Sequence, residues 1–368
     1  MATALPRARL LVAGPLGALD AVRAGLLRLF LGRSGGFGRV LIRQPALRVG
    51  LFGSAAMLVA LLLTWSMPLW LLAVSPLLLG VPHLVADVRY LVLQPGYHRR
   101  LWLALPVALG LLGAALGFGM RAGLAATAAT LLLSRAPAER TRLHNGLRRL
   151  GGLLLVLALA ALGWRSDWYF LDLGMAHAHN FIAVLFLSLW LSQLPPPVAA
   201  PPPSRILSCG LPLVLFLGIC TLLATGLLSA RPTALTAFSG SESLDLDGVC
   251  WVLAPYLAPE LATRVVLLFA FAQAVHYTIW LRLVPDVTRE RPTPRSFRAS
   301  FAALRRDLGS PLLILAALVM LGLLVYGLFD LAAARDRYFR IALFHGHLEL
   351  CALALWWIEG LPASLSRR

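Results

Sequence analysis

Long apolar runs recur along this chain, and shorter polar segments rich in Arg, Pro and Gly separate them. A helix needs about 20 mostly apolar residues to cross the hydrocarbon core of a bilayer. The pattern predicts ten such helices, spans 1 to 10, near residues 49–66, 68–92, 101–119, 121–134, 149–164, 168–193, 206–229, 264–284, 311–332 and 338–358. Spans 4 and 5 are short, which suits either tilted partners or one re-entrant pair. We therefore expect an all-α, polytopic transmembrane helix bundle of about ten spans.

The placement of Arg orients this bundle, because cytoplasmic loops carry an excess of positive residues. When both the N- and C-termini are cytoplasmic, the Arg-rich segments all fall on one side: the N-terminal segment and loops 94–100, 135–149 and 285–310. The opposite loops 165–173 and 230–263 carry Asp and Glu, and loop 333–337 is a mild exception. The pattern predicts a multi-pass protein of the cytoplasmic (inner) membrane.

Two polar stretches divide the chain. Residues 1–46 predict a basic amphipathic arm lying on the cytoplasmic face, where Arg attracts anionic membrane lipids. The sequence "PPPVAAPPPSR" at 195–205 is typical of a stiff Pro-rich linker. It would separate a first, six-span half (47–194) from a second, four-span half (206–368).

Composition supports the membrane interpretation. The chain is 59% hydrophobic and 13% charged, with a mean hydropathy of +0.80, whereas about a quarter of the residues of a soluble domain are charged. Its net charge of +17 comes from 33 basic residues that are all Arg. Because their placement follows membrane orientation, we expect no nucleic-acid partner. The four cysteines have no metal-site or disulfide spacing.

Six of the eight histidines lie inside predicted spans. They occur in spans 2, 6, 8 and 10, which all run inward from the outer face: His83, His177, His179, His276, His345 and His347. Their distance from the outer ends of the spans corresponds to a depth of about 10 to 23 Å in a core about 30 Å thick. Four helices thus deliver imidazoles to the middle of the membrane.

Helical spacing gives each of these histidines a polar companion, since residues three or four apart share a face. The pairs are His83 with Asp87, His177 with Asn180, His276 with Gln273 and His345 with Glu349. Imidazole ligands with polar groups that orient them are what a metal site between helices requires. We predict that the four histidines of these pairs bind one metal, with Asp87 and Glu349 as ligands or orienting groups. His179 and His347 lie two residues away from their neighbours, and either one is an alternative inward-facing ligand.

Imidazole and carboxylate ligands without thiolate favour Fe(2+) first and Zn(2+) second. A site buried in the membrane suits a lipophilic small-molecule substrate, and O₂ chemistry on such a molecule is the first function we consider. A proton- or metal-coupled transporter using the same His, Asp and Glu set is the second, because transporters also place such residues in the bilayer. A non-catalytic membrane partner protein, whose histidines only tie helices together, is the third. The sequence leaves the oligomeric state open.

The stretch "GVPHLVAD" at 80–87 resembles the G-x-P-H-G-x-x-D motif of the Brp/Blh family of membrane-bound β-carotene 15,15'-dioxygenases. Gly80, Pro82, His83 and Asp87 match it in identity and spacing, and Leu84 stands in place of the second Gly. The stretch "VHYTIWLR" at 275–282 is similar to a late His-Tyr segment of that family. The resemblance implies a multi-span, non-haem iron enzyme that cleaves β-carotene to retinal, with His83 as a metal ligand.

Overall fold

The computed structural model describes residues 14–193, 210–228, 245–288 and 295–362, and these residues are almost entirely helical with no strand among them. The helices are α1 (Gly14–Arg43), α2 (Pro45–Ser66), α3 (Pro68–Asp87), α4 (Leu101–Gly113), α5 (Gly119–Leu133), α6 (Arg142–Arg165), α7 (Trp168–Gln193), α8 (Leu211–Ala224), α9 (Leu246–Leu253), α10 (Pro259–Thr278), α11 (Val284–Val287), α12 (Phe297–Leu308), α13 (Ser310–Phe329) and α14 (Leu331–Glu359). The all-α prediction is confirmed for this part of the chain.

Eight helical segments in the described ranges are long and apolar enough to cross a membrane. They are Pro45–Ser66, Pro68–Leu93, Leu101–Leu133, Arg142–Arg165, Trp168–Ser192, Pro259–Val287, Ser310–Phe329 and Leu331–Glu359. Within the described residues, each of the ten predicted spans overlaps a helix, but spans 3 and 4 share one of these segments and span 7 corresponds to the shorter α8, Leu211–Ala224. A polytopic helical membrane protein is therefore supported, while ten crossings and cytoplasmic termini stay predictions.

The segment Leu101–Leu133 does not run straight, because α4 and α5 fold back on each other. Gly117 (φ 103°) and Gly119 (φ 47°) adopt left-handed backbone conformations at the reversal, which glycine tolerates without strain. A Cβ built at Gly110 would stand 2.7 Å from the Cβ of Ala126. Small residues on both helices thus let the two backbones approach closely, as is common where membrane helices pack.

Four helices form the centre of the bundle, and they are the ones that carry the intramembrane histidines: α3, α7, α10 and α14. The largest hydrophobic core contains residues of all four, together with residues of α2 and α8. It draws on both proposed halves of the chain, whereas the linker 195–205 lies outside the described residues. By contrast, only 11% of the most apolar stretch of α6, and of α13, is buried.

Two of the central helices contain a π-helical turn. Helix α3 continues through Pro82 to Asp87 and then widens into a π-turn at Val88–Leu93. Helix α10 widens at Ile279–Leu283, three residues after His276. Such turns are rare and occur frequently at functional sites.

Helix α1 accounts for most of the predicted N-terminal arm, of which residues 1–13 lie outside the described ranges. It is bent at Gly35, whose φ is 55°. The carboxylate of Asp20 accepts backbone N–H bonds of 2.6 and 3.3 Å from Phe297 and Arg298 at the start of α12. Helix α12, which also carries Arg residues, therefore lies against the arm, in a segment (285–310) for which the sequence predicts a loop.

Candidate metal centre

Four histidine rings from four different helices meet in the core: His83 of α3, His179 of α7, His276 of α10 and His345 of α14. Their centroids are 5.2 Å apart for His83 and His276, 4.8 Å for His83 and His345, and 5.8 Å for His276 and His345. Those of His179 and His276 are 5.1 Å apart, and those of His179 and His345 are 4.8 Å apart. Imidazole nitrogens at about 2.0–2.1 Å from one tetrahedral ion would place neighbouring ring centroids about 5 Å apart. The spacing of the rings therefore fits a shared metal ion.

Hydrogen bonds at Nδ1 fix the orientation of these rings. The Nδ1–H of His179 donates to the carbonyl of Met175 over 3.1 Å, and that of His345 donates to the carbonyl of Ala342. A ring that donates from Nδ1 and is neutral carries its lone pair on Nε2. Bonds of this kind are what orients metal-binding histidines in known sites.

The ring of His83 has a tyrosine hydroxyl beside its Nδ1. Its Nδ1 lies 3.4 Å from the hydroxyl of Tyr338, which also hydrogen-bonds Tyr277. Gln273 donates to the Tyr277 hydroxyl over 3.1 Å, so a short polar chain leads away from His83. Gly80 makes room for this arrangement, because a Cβ there would collide with the ring of Tyr338.

Two carboxylates lie beside the rings. Oδ2 of Asp87 is 3.9 Å from Nε2 of His83. Oε1 of Glu349 is 4.0 Å from Nε2 of His276 and accepts a 2.9 Å bond from the indole of Trp280. One ligand atom from each of His83, Asp87, His276 and His345 falls within 4.8 Å of the other three.

The polar atoms that surround this point lack partners within the described part of the chain. Asp87, His276 and Glu349 are all 0% exposed. The unpartnered atoms are Nε2 of His83, both oxygens of Asp87, Nε2 of His345 and Oε2 of Glu349. An unsatisfied buried polar group costs about 1–3 kcal/mol and a charged one more. A metal ion would satisfy several of these atoms at once.

The structure places His177 outside the cluster. Its Nε2–H donates to the carbonyl of Leu253 over 2.8 Å, and its ring lies edge-on to Phe269 at 5.0 Å. His179, the alternative on the same helix, occupies the position expected for His177. His179 is close to α14, because a Cβ added at Gly346 would stand 3.2 Å from the Cβ of His179.

His347 also points away from the four rings. It is almost fully buried against α5, where its imidazole fills the space left by the missing side chain of Gly123. Its neighbour His345 is the member of that pair inside the cluster. The companions expected for two of the histidines make other contacts, because Asn180 donates to the carbonyl of Ala176 and Gln273 donates to Tyr277.

The site residues predicted from the sequence do not include three aromatic residues around the cluster, Tyr277, Trp280 and Tyr338, although the first two lie in the stretch 275–282 that carries part of the family resemblance. A signal existed for two of them, since Trp280 follows His276 by four residues and Tyr338 precedes His345 by seven. Both spacings put side chains on one helical face. The part played by Tyr277, which holds Tyr338 from another helix, has no such local signal.

Comparison of the chain with protein-family models, with curated proteins and with solved structures finds no match.

Proposed function

We propose that this protein is an integral membrane, non-haem iron oxygenase that acts on a carotenoid or another lipophilic substrate. The observation that carries the proposal is the approach of ligand atoms of His83, Asp87, His276 and His345 to within 4.8 Å of one another in the buried core. Within the described residues, Nε2 of His83, Nε2 of His345 and both oxygens of Asp87 have no hydrogen-bond partner there. The resemblance of residues 80–87 to the Brp/Blh motif agrees with it, because that motif contains His83 and Asp87.

Charge balance supports a divalent ion. An ionised carboxylate buried in a low-dielectric interior costs several kcal/mol unless a cation compensates it. Asp87 and Glu349 would together carry two negative charges, and the four imidazoles would be neutral. One divalent cation makes this set electrically neutral.

The ligand types favour iron over zinc. Imidazole and carboxylate ligands suit both metals, but zinc prefers four ligands at a closed structural site, whereas non-haem Fe(II) sites combine His and carboxylate with open positions. The group of three histidines and Asp87, with His179 beside it, offers more ligands than a tetrahedral zinc ion takes. We therefore propose Fe(2+) as the cofactor, with Zn(2+) second.

The location of the site favours a lipophilic substrate. Three of the four site helices, α3, α10 and α14, belong to the most buried apolar segments, so a substrate would enter from the bilayer of the cytoplasmic membrane and not from water. Bound iron would supply the activation of O₂. In the proposed reaction a carbon–carbon double bond of the polyene breaks and each carbon takes one oxygen atom of O₂, which gives two carbonyl products without an external reductant.

The test measures metal and turnover on the same preparation. Full-length protein is purified in detergent, loaded with Fe(II) under anaerobic conditions and analysed for iron, then mixed with β-carotene and O₂. We expect about one iron per chain and formation of retinal. The His83→Ala variant should lose both, while His144→Ala, which removes an exposed histidine at the start of α6, should lose neither.

Other outcomes separate the alternatives. Protein that binds iron, leaves carotenoids unchanged and accumulates Fe(II) in proteoliposomes under a pH gradient is a transporter. Protein that binds neither Fe(II) nor Zn(II), with wild-type behaviour of the His83→Ala variant, uses its histidines only for packing.

A further inference from the structure

Three buried tryptophans form a continuous aromatic chain that starts at the metal centre. Trp280 of the α10 π-turn lies 5.6 Å from Trp190 of α7, and Trp190 lies 5.6 Å from Trp356 of α14, measured between ring centroids. The ring of Phe186 touches all three, at 4.7 to 5.8 Å. We call Trp280, Trp190 and Trp356 the tryptophan chain.

The end of the tryptophan chain at Trp280 shares a carboxylate with the histidine cluster. The Nε1–H of Trp280 donates to Oε1 of Glu349 over 2.9 Å, and the same oxygen is 4.0 Å from Nε2 of His276. The rings of Trp280 and His276 are 6.5 Å apart. The indole that is nearest to the cluster is thus paired with a proton acceptor.

The end of the tryptophan chain at Trp356 reaches the Arg-rich face of the bundle. Trp356 lies beside the hydroxyl of Tyr97, in the turn after span 2. The guanidinium of Arg100 lies over the Tyr97 ring at 5.2 Å and pairs with Glu359 at 2.7 Å. Burial, and after it the Glu359 carboxylate, raises the pKa of Tyr97 to about 12, so its phenol keeps a proton at neutral pH.

Packing alone is a poor account of these residues. A buried indole N–H ordinarily has a hydrogen-bond partner, but Nε1 of Trp190 has none within the described ranges. Leaving it unsatisfied is unfavourable, and a Phe or Leu would fill the space without that cost. Trp357, next to Trp356 but outside the chain, is about half exposed and donates to the carbonyl of Arg148.

We propose that Trp280, Trp190, Trp356 and Tyr97 form a path for single electrons between the metal centre and the Arg-rich face of the membrane. The inference rests on the proposed function, because it needs a redox-active iron. Indole and phenol are among the most readily oxidised side chains, and the rings are close enough for electron tunnelling from one to the next. Such a path would return an electron to an iron ion that has been oxidised in a cycle in which no substrate was consumed.

Each step balances in electrons and protons. Trp280 gives one electron to the oxidised iron, which is reduced by one unit, and passes its indole proton to Oε1 of Glu349. Trp190 then gives an electron to Trp280, which takes its proton back. The electron vacancy then passes through Trp356 to Tyr97, which gives its phenol proton to water at the Arg-rich face. Tyr97 regains both an electron and a proton with the help of a water-soluble one-electron donor such as ascorbate.

The test follows the radical directly. Full-length protein is loaded with Fe(II), its iron content is measured, and it is mixed with hydrogen peroxide and freeze-quenched for electron paramagnetic resonance. We expect a tryptophanyl signal that gives way to a tyrosyl signal, which ascorbate removes. The Trp190→Phe variant should lose the tyrosyl signal and keep the tryptophanyl one. Tyr97→Phe, which removes a single hydroxyl and should leave the fold intact, should do the same.

The Trp357→Phe variant is the matched control and should give the wild-type signals. Iron-loaded wild type that forms neither radical would overturn the electron path alone and leave the iron centre standing. Equal tyrosyl signals in Trp190→Phe, Trp357→Phe and wild type would also overturn it. If the full-length protein binds no iron, both this inference and the proposed function are wrong.

Discussion

Two histidines on one helix allow a sharp test of the proposed metal centre. His177 and His179 are two residues apart on α7, yet only His179 faces the four-ring cluster. Replacing His179 with Ala should weaken metal binding, whereas replacing His177 with Ala should leave metal affinity unchanged. The two variants carry the same His-to-Ala replacement on the same helix, at nearly the same expected depth in the membrane.

The structure sets the expected size of each effect. Loss of a group that merely orients a ligand typically lowers metal affinity about 10–100-fold, so loss of the His179 ligand should cost at least about 1.4–2.8 kcal/mol of binding free energy. In His177→Ala the carbonyl of Leu253 loses a 2.8 Å hydrogen bond. That should lower the free energy of unfolding by about 0.5–1.5 kcal/mol without affecting the metal.

Both quantities can be measured on detergent-solubilised protein. Anaerobic competition of Fe(II) with a chromophoric chelator gives the affinity, and thermal unfolding of metal-free protein gives the stability. The reasoning fails if His179→Ala binds iron as tightly as wild type, or if His177→Ala loses as much affinity as His179→Ala.

Two further predictions concern the bundle. Single cysteines at Arg148 and Ser166, in a background without native cysteines, should be labelled by a membrane-impermeant reagent from opposite sides of the membrane, since α6 separates them; labelling from one side contradicts the topology. Gly123→Ala should lower the free energy of unfolding by about 1–3 kcal/mol, because its Cβ collides with the buried ring of His347. Gly174→Ala, whose Cβ meets nothing within 4 Å, should be close to neutral in the same thermal unfolding assay, and equal losses would refute the packing argument.

The helices were predictable because the membrane imposes a simple rule on sequence. A segment that crosses hydrocarbon must be apolar and must satisfy its own backbone, so hydropathy locates it. The same rule is weak where helices are short. Whether residues 101–133 form one helix or a hairpin depends on Gly117 and Gly119, whose left-handed conformations no hydropathy pattern reveals.

The cluster of histidine rings was predictable by residue type and by helix more than by the partners of each ring. Residues two apart on a helix point about 200° apart, so the sequence could not say which of His177 and His179 faces inward. That choice depends on Leu253, which binds His177 from another segment. Likewise Glu349 shares a face with His345, but its nearest cluster nitrogen belongs to His276 on α10. This depends on how side chains of α10 and its π-turn meet α14 across the cluster, where Trp280 donates to Glu349.

The hairpin of α4 and α5 has a consequence for the lipid around the protein. Helix α5 has 15 residues, which span about 22 Å against a hydrocarbon thickness of about 30 Å. A hydrophobic length that is too short makes the bilayer thin locally, at a cost of a fraction of a kcal/mol per ångström. Because α5 packs directly on α14 beside His347, we expect this thinning next to the helices that carry the histidine cluster. Hydrophobic mismatch at α5 should then make the stability of this protein depend on acyl-chain length, with shorter chains favoured.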